Sequence, residues 1–209
     1  MEKAFMRAAK TAEKQIIIER SRFIGKVFTV KTEDEAREYI NSVKKEHPFA
    51  THNCYAYVAE RGAIARFSDD GEPQGTAGMP MLEVLKNRGL SDTLVVITRY
   101  FGGIKLGAGG LVRAYSSTAA AALDEAGVEE LRPSNVIKVV VAYDKYSAFL
   151  KFCEKRTIIT TDTAYGENVE ITVAVPTEDA AEFKEKLTDF MAGKVEIIDL
   201  SADFFVYPR

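Results

Sequence analysis

The sequence lacks tryptophan and has little cysteine: only Cys54 and Cys153, among 209 residues, carry thiols. Two distant cysteines cannot build a disulfide framework, and they exclude a zinc site with four thiolate ligands. The apolar runs fall far short of the ~20 residues that span a bilayer, and the first fifteen residues contain no apolar segment of a secretory signal. We therefore expect a cytoplasmic protein that does not enter a membrane.

Charge of neither sign dominates, since 28 Lys and Arg stand against 31 Asp and Glu. A protein that wraps nucleic acid through bulk charge would be more basic, although a local basic patch is compatible with this balance. The charges are uneven along the chain: residues 1–132 hold 19 basic and 18 acidic side chains, whereas residues 133–209 hold 9 and 13. An anionic partner is therefore expected to prefer the first part of the chain.

Hydrophobic periodicity predicts two domains of the α+β class, residues 1–132 and 133–209, which meet at Pro133-Ser134. In the first domain the patterns predict strands at 14–19, 21–30, 52–59, 63–67 and 93–98. Helices are predicted from Thr32 to Pro48, at 80–88 and at 111–126, with a glycine-rich loop at 100–110. The second domain follows the order β-α-β-β-α-β, which is the ferredoxin-like signature.

The strongest motif is a glycine-rich basic stretch between the apolar strand at 93–98 and the third helix. It contains five glycines, three cations and no acid: Gly102, Gly103, Gly107, Gly109, Gly110, Arg99, Lys105 and Arg113. Glycines let backbone amides approach a ligand closely, and a helix N-terminus adds partial positive charge. The stretch therefore favours binding of a phosphate, from a small molecule or an RNA backbone, although it matches neither the Walker A loop nor the dinucleotide fingerprint. The alternatives are a tight structural connection and, for Arg99, an internal ion pair.

An acidic turn at residues 68–78 brings Asp69, Asp70 and Glu72 close together in the sequence. Such carboxylates could hold Mg²⁺ together with water and a phosphate, but their spacing is not that of an EF-hand loop. Asp and Gly also favour turns by themselves, and these acids could pair with the cations of the glycine-rich stretch. We favour a salt-bridged structural loop over a metal site.

The segment at 52–57 is predicted to be a strand, on which His52 and Cys54 share one face and Tyr55 and Tyr57 the other. Cβ atoms two residues apart on a strand are ~7 Å apart, too far for the thiolate–imidazole hydrogen bond of a cysteine hydrolase. Cys54 is therefore expected to be a buried apolar residue, and His52 is a weak candidate for proton transfer. The two tyrosines would form a stacking platform for bases if they were exposed, although half-buried tyrosines are commoner on strands.

These three segments together resemble the IMPACT family, whose bacterial branch includes YigZ-like proteins. The resemblance rests on HNCYAY at 52–57, on DDGEP-x-GTAG-x-P at 69–80 and on RYFGG-x-KLG-x-GGLVRAY at 99–115. It covers roughly the first 130 residues, and the remainder resembles the small C-terminal domain of the bacterial members. The resemblance implies a first domain like domain 2 of ribosomal protein S5, a sheet with helices on one side. It implies a second domain like the ferredoxin-like C-terminal domain of elongation factor G.

Both related folds act on the ribosome, so the resemblance implies contact with RNA, the ribosome or a translation factor. Eukaryotic members of the family regulate translation in the response to amino-acid starvation, a stress response, by competing for a protein partner of an eIF2α kinase. They carry an additional N-terminal domain for that partner. This chain starts with the shared domain, so we do not expect that role here.

The leading hypothesis is a non-catalytic regulator linked to translation, without cofactor or metal, that binds RNA, the ribosome or a translation partner. The glycine-rich stretch would contact phosphates, and Tyr55 or Tyr57 would stack on bases. The first alternative is a metal-assisted enzyme acting on a phosphorylated small molecule, with the acidic turn as metal ligand and His52 for proton transfer. The second is a protein–protein adaptor, and the sequence leaves the oligomeric state open.

Overall fold

The computed structural model describes residues 3–154 and 156–207, which divide into two compact units. The first unit is Phe5–Glu129, and the second contains Glu130 onward together with residues 3–4. Each unit has hydrophobic core clusters of its own, and the mixture of helices and two sheets confirms the α+β class. Among the described residues, no helix has the length and apolar character needed to cross a membrane.

The first unit is built on an antiparallel sheet with the strand order β2-β3-β6-β4-β5. Its elements, in chain order, are β1 (Phe5–Ala8), β2 (Ala12–Ile18), β3 (Ser21–Thr29), α1 (Glu33–Glu46), β4 (His52–Ala59), β5 (Ile64–Ser68), α2 (Gly78–Asn87), β6 (Thr93–Tyr100) and α3 (Gly107–Ala126), followed by the start of β7 (Val128–Val141). The sequence patterns predict all of these strands and helices except β1, a strand of only four residues.

Strand β6 is buried on both faces, as its continuous apolar sequence predicts. Val95 and Ile97 belong to the core that α2 and α3 cover, whereas Leu94 and Val96 belong to a second core that α1 covers. Helices therefore lie on both faces of the sheet. The expectation of helices on one side is wrong in this detail, because α1 has an apolar stripe of its own that must be buried.

The small side chains of α3 let this helix lie directly on the sheet. At Gly25 of β3, a Cβ atom would lie 3.1 Å from both the Ala122 Cβ and the Thr118 Cγ2. Contacts that short leave no space for another methyl group, so the strand glycine and the small helical residues are fitted to each other. This packing holds α3 in place on the sheet. Because the glycine-rich loop leads directly into α3, the packing also positions the end of that loop.

Two boundaries differ from the sequence-based expectation. Helix α3 begins at Gly107 and not at residue 111, because glycine is tolerated in a first turn, where the amides have no partner within the helix. Strand β7 begins at Val128 and runs through Pro133-Ser134, the predicted boundary. Proline can occupy a strand where its missing amide is not needed, and the Pro133 carbonyl still accepts a hydrogen bond from the Thr177 amide at 2.9 Å.

The second unit has the predicted β-α-β-β-α-β order. After β7 come α4 (Tyr143–Cys153), β8 (Ile159–Tyr165), β9 (Val169–Pro176), α5 (Ala180–Phe190) and β10 (Glu196–Val206). Strand β7 pairs with β9 and with β10, and β8 pairs with β9, all antiparallel. Alternate valines and isoleucines of β7 and β9 pack against Phe149 of α4 and against Phe183 and Leu187 of α5. This arrangement confirms the ferredoxin-like prediction.

Candidate functional site

The acidic turn is closed by its own first carboxylate. Asp69 accepts hydrogen bonds from the backbone amides of Gly75 at 2.8 Å, Ala77 at 3.1 Å and Gly78 at 2.8 Å. Two of these amides belong to the start of α2, whose N-cap residue, Ala77, has no side chain that could accept a hydrogen bond. The Asp69 carboxylate therefore caps α2 from a distance and stabilises the positive end of the helix dipole.

Asp70 ties the same turn to α1 and β4. Its carboxylate accepts hydrogen bonds from the Lys44 ammonium and from the backbone amide of Asn53, both at 2.7 Å. Its carbonyl oxygen lies 2.9 Å from Nδ1 of His52. Both carboxylate oxygens thus have partners within the fold.

Glu72 forms a buried ion pair with Arg99. The Arg99 guanidinium donates to Oε1 of Glu72 at 2.7 Å, and the two side chains are 6% and 3% exposed. The Tyr115 hydroxyl donates to the same carboxylate oxygen at 2.8 Å, and Ser21 Oγ lies 3.3 Å from the guanidinium. The structure therefore places Arg99 inside the protein, where it has the internal ion pair considered above and no open path to a surface phosphate.

The three carboxylates of the turn face different partners and do not converge. Nε2 of His52 lies 3.7 Å from Oε2 of Glu72, and this is the closest approach of the histidine to a carboxylate of the turn. In the part of the chain that the structure describes, no group of three or more His, Cys, Asp or Glu side chains is arranged to hold a metal ion. The geometry favours the structural loop over the metal site.

Cys54 lies under this loop and is fully buried. Its thiol donates to the Asp69 carbonyl oxygen at 3.0 Å and lies 3.4 Å from the Tyr115 hydroxyl. Burial raises the pKa of this thiol. The side chain therefore behaves as a small core residue, as its strand position predicts, and it makes no hydrogen bond with His52.

We expect Cys54 to resist alkylation by iodoacetamide at pH 7.5 in the folded protein and to react only after unfolding, because the thiolate is the nucleophile and burial disfavours it. Cys153 is the internal comparison: it is partly exposed, and burial raises its pKa to about 11, so it should react slowly but first. Peptide mass spectrometry after timed quenching checks this order. Modification of Cys54 in the folded protein at the rate of a free thiol would contradict it.

The tyrosines at 55 and 57 lie on the α1 face of the sheet. Their rings stack with centroids 6.2 Å apart. Tyr57 is 3% exposed and belongs to the core under α1, with Tyr55 partly buried against it. Burial raises the pKa of Tyr57 to about 12. Tyr57 is thus a core residue and is not available for stacking on bases, whereas Tyr55 is partly buried against the same core.

The loop between β6 and α3, residues 101–106, is tied to the sheet at its start. The Phe101 amide donates to Thr51 Oγ1 at 3.0 Å, and the Gly102 amide donates to Ser21 Oγ at 3.2 Å. At Gly102, a Cβ atom would lie 2.1 Å from the carbonyl carbon of Arg20. Only glycine allows this approach between the loop and the β2–β3 turn.

The rest of the loop is open. Gly103 and Gly107 have φ of 86° and 70°, and a Cβ atom at either position would have no neighbour within 4 Å. A Cβ at Gly110 would meet only the Leu106 side chain, at 3.0 Å and beyond, whereas one at Gly109 would meet nothing within 4 Å. Helix α3 has no side-chain cap and no acid in its first turn. The first amides of α3 therefore have no capping side chain among the described residues.

Lys105 and Arg113 lie at this open end and are exposed. Neither forms an ion pair with any residue of the described ranges. Arg113 lies one helical turn after Gly109, on the same exposed side of α3. Of the three cations in the glycine-rich stretch, the structure thus brings two to the surface beside the glycines and buries the third, Arg99.

Comparison with known proteins places these features in a family. The sequence model described as "Impact N-terminal domain" matches residues 19–123, and the model described as "Domain of unknown function (DUF1949)" matches residues 139–194. "IMPACT family member YvyE" of Bacillus subtilis is 43% identical over 195 residues, which are 93% of this chain and 90% of that protein. This chain belongs to the IMPACT family.

Other IMPACT relatives and a solved structure are also similar to this chain. "IMPACT family member YigZ" of Escherichia coli is 37% identical over 87% of this chain and 90% of its own length. "Protein IMPACT homolog" of Dictyostelium discoideum is 40% identical over 42% of this chain and 26% of its own length. A structure titled "Crystal structure of an hypothetical protein" superposes with a TM-score of 0.63 and 32% identity, covering 96% of this chain and 99% of that one.

Two further cations of the IMPACT domain lie beside the open loop, and sequence reasoning missed them. Arg20 and Arg22 belong to the β2–β3 turn and the start of β3, and both are exposed. The Arg22 guanidinium lies 4.3 Å from the centroid of the Tyr100 ring. The sequence does predict a short turn between two strands at this point. It does not show that this turn packs against Gly102, which is about eighty positions later in the chain.

Proposed function

We propose that this IMPACT protein is a non-catalytic, translation-linked binding protein that contacts RNA phosphates through the open loop before α3. The observation that carries the proposal is the contrast between two neighbouring loops. The carboxylates of the acidic turn have partners within the fold, whereas the first turn of α3 has no side-chain cap among the described residues and is flanked by the exposed Lys105 and Arg113.

The internal pairing of the acids decides the local charge. Asp70 is held by Lys44 and Glu72 by Arg99, so neither neutralises the cations at the mouth of the loop. Arg20 and Arg22 add two more positive charges there. A positive surface of this size attracts a polyanion even though the whole chain carries a net charge of −3.

Gly109 supports contact between the helix terminus and a ligand. Its φ is not in the left-handed region, and a Cβ there would touch nothing, so the fold does not require glycine. Glycine in a helix costs up to about 1 kcal/mol relative to alanine. The missing side chain leaves the amides of the first turn accessible to a phosphate.

Fold similarity supports an RNA backbone as the source of the phosphate. The two units resemble domain 2 of ribosomal protein S5 and the C-terminal domain of elongation factor G, both of which act on the ribosome. The metal-assisted alternative finds no supporting geometry, because the carboxylates it would use are engaged elsewhere.

Salt dependence of RNA binding tests this proposal. We expect a fluorescein-labelled 20-nucleotide RNA to bind with a slope of log K against log salt of about −3, since four cations release counterions from a single strand. The double variant Lys105→Ala/Arg113→Ala should bind about tenfold more weakly at 0.1 M KCl, with a slope of about −1.5.

Lys86→Ala is the matched control, because Lys86 is exposed in the last turn of α2 and has no ion pair within the described residues. Its affinity and slope should equal those of the unmodified protein. Equal affinities and slopes for all three proteins, or no salt-dependent binding at all, would overturn the proposal.

A further inference from the structure

Two phenylalanines are exposed beside the open loop. Phe49 is 90% exposed and Phe101 is 47% exposed. Phe49 lies in the turn after α1, in which the Ala50 amide donates to the His47 carbonyl at 3.1 Å. An aromatic side chain that is left almost wholly in water, on a hydrogen-bonded turn, contributes no burial to this fold.

The segments that carry the two rings are fixed side by side. The Thr51 amide donates to the Arg99 carbonyl at 2.8 Å, and Thr51 Oγ1 accepts a hydrogen bond from the Phe101 amide at 3.0 Å. The Tyr100 hydroxyl lies 3.0 Å from Nδ1 of His47. Both rings therefore stand on rigid backbone at the same end of the sheet.

Phe101 is supported from the interior by a buried cation. The Arg99 guanidinium lies 5.5 Å from the centroid of the Phe101 ring, within range of a cation–π contact. Arg99 is itself held by Glu72. The ring is therefore positioned from below while nearly half of it remains accessible.

Cations without an ion-pair partner among the described residues lie on the segments next to Phe101. The register of the sheet puts Arg22 opposite Tyr100, and Gly102 packs against the backbone of Arg20. Lys105 follows Phe101 in the same loop. Exposed aromatic rings and cations that have no ion pair within residues 3–154 and 156–207 thus lie at one end of the first unit.

The turn that carries Arg20 is conformationally strained. Glu19 and Arg20 have φ of 45° and 64°, in a two-residue hairpin turn where Asn-Gly is the favoured sequence. Glycine at position 20 would remove the strain and the charge together. The strained turn instead carries a positive charge, and its backbone packs against Gly102 of the loop.

From these observations we infer that Phe49 and Phe101 stack on unpaired bases, and that the basic loop binds single-stranded RNA in preference to duplex. The inference rests on the proposed phosphate contacts and adds the base-recognising part of the same site. Aromatic side chains stack on any exposed base, whereas the bases of a duplex are covered by their neighbours. A surface with cations alone would bind duplex and single-stranded RNA equally well. The combination of cations with exposed aromatic rings favours the single strand.

Three labelled polymers of equal length test the inference: a 20-mer of uridine, a 20-base-pair RNA duplex and an abasic ribose-phosphate 20-mer. We expect the unmodified protein to bind the uridine 20-mer at least tenfold more tightly than the other two. Phe49→Ala and Phe101→Ala should each weaken binding of the uridine 20-mer about tenfold, leave binding of the abasic polymer unchanged, and keep the salt slope. Phe101→Tyr should restore binding.

Phe190→Ala is the control, because Phe190 has a similar exposure, 52%, on α5 of the second unit, and its affinity for the uridine 20-mer should be unchanged. Thermal denaturation of each variant checks that the first unit stays folded. If the uridine and abasic polymers bind equally well, or if Phe101→Ala binds RNA as tightly as the unmodified protein, the stacking inference is overturned. If the salt slope is retained in that case, the proposed phosphate contacts still stand. Unchanged RNA binding by Phe101→Ala is also the result expected if the two rings bind a protein partner instead of RNA bases. Loss of the salt dependence itself would remove the proposed function, and the stacking inference with it.

Discussion

Replacing Glu72 by glutamine is expected to destabilise the first unit by about 3–5 kcal/mol, since removal of one partner leaves a buried charge without compensation. The amide would have nearly the size of the carboxylate and would still accept the Tyr115 hydrogen bond, so the effect would come from the charge of Arg99. That guanidinium is 6% exposed and lies 2.7 Å from the carboxylate. Urea denaturation, followed by the amide resonances of the first unit, measures the change.

Two comparisons isolate the cause. Asp70→Asn removes a partly exposed pair with Lys44 and should cost about 1 kcal/mol or less. The double variant Glu72→Gln/Arg99→Met removes both charges and should be more stable than Glu72→Gln, because apolar residues of similar size can replace a buried pair. Equal midpoints for Glu72→Gln and the unmodified protein would refute the structural assignment of this pair.

The second large effect is expected at Gly102. An alanine Cβ at this position would lie 2.1 Å from the Arg20 carbonyl carbon, 2.2 Å from its oxygen and 2.4 Å from the Ser21 nitrogen. These are backbone atoms that cannot rotate away, so the loop would have to separate from the β2–β3 turn. We expect Gly102→Ala to lower the free energy of unfolding by about 3 kcal/mol, the upper end for overpacking.

Gly109→Ala is the matched control in the same motif. A methyl group there meets nothing within 4 Å, and alanine favours a helix over glycine, so this variant should be as stable as the unmodified protein or slightly more so. Urea midpoints of the two variants check the contrast. If both glycines tolerated alanine equally, the close approach of loop and turn would be wrong.

Local patterns are sufficient to predict most of the fold. Thr32 Oγ1 accepts a hydrogen bond from the Glu35 amide at 3.2 Å, as a helix-capping sequence predicts. The apolar run at 93–98 is a strand buried on both faces, and the second unit has the predicted order of elements. The sequence pattern predicts too late a start for α3, because the glycines conceal an exposed first turn that precedes the first buried residue of the helix, Leu111.

Predictions for the site depend on burial, which sequence patterns show poorly. Charge alone groups Arg99 with Lys105 and Arg113, yet Arg99 shares a strand face with Val95 and Ile97, so a count of alternate positions would direct it inward. Exposure of an aromatic ring depends on which element covers it. For this reason the sequence points to the tyrosines at 55 and 57, while the structure exposes different rings.

Titration of the ¹⁵N-labelled protein with the uridine 20-mer, followed by amide chemical shifts, tests most directly whether the open loop is the binding surface. We expect the largest shifts at the amides of Gly103, Lys105, Gly107 and Gly109, with little change at Lys86 on α2. Saturation of the protein by this RNA with those four amides unmoved, and the largest shifts elsewhere, would contradict the account.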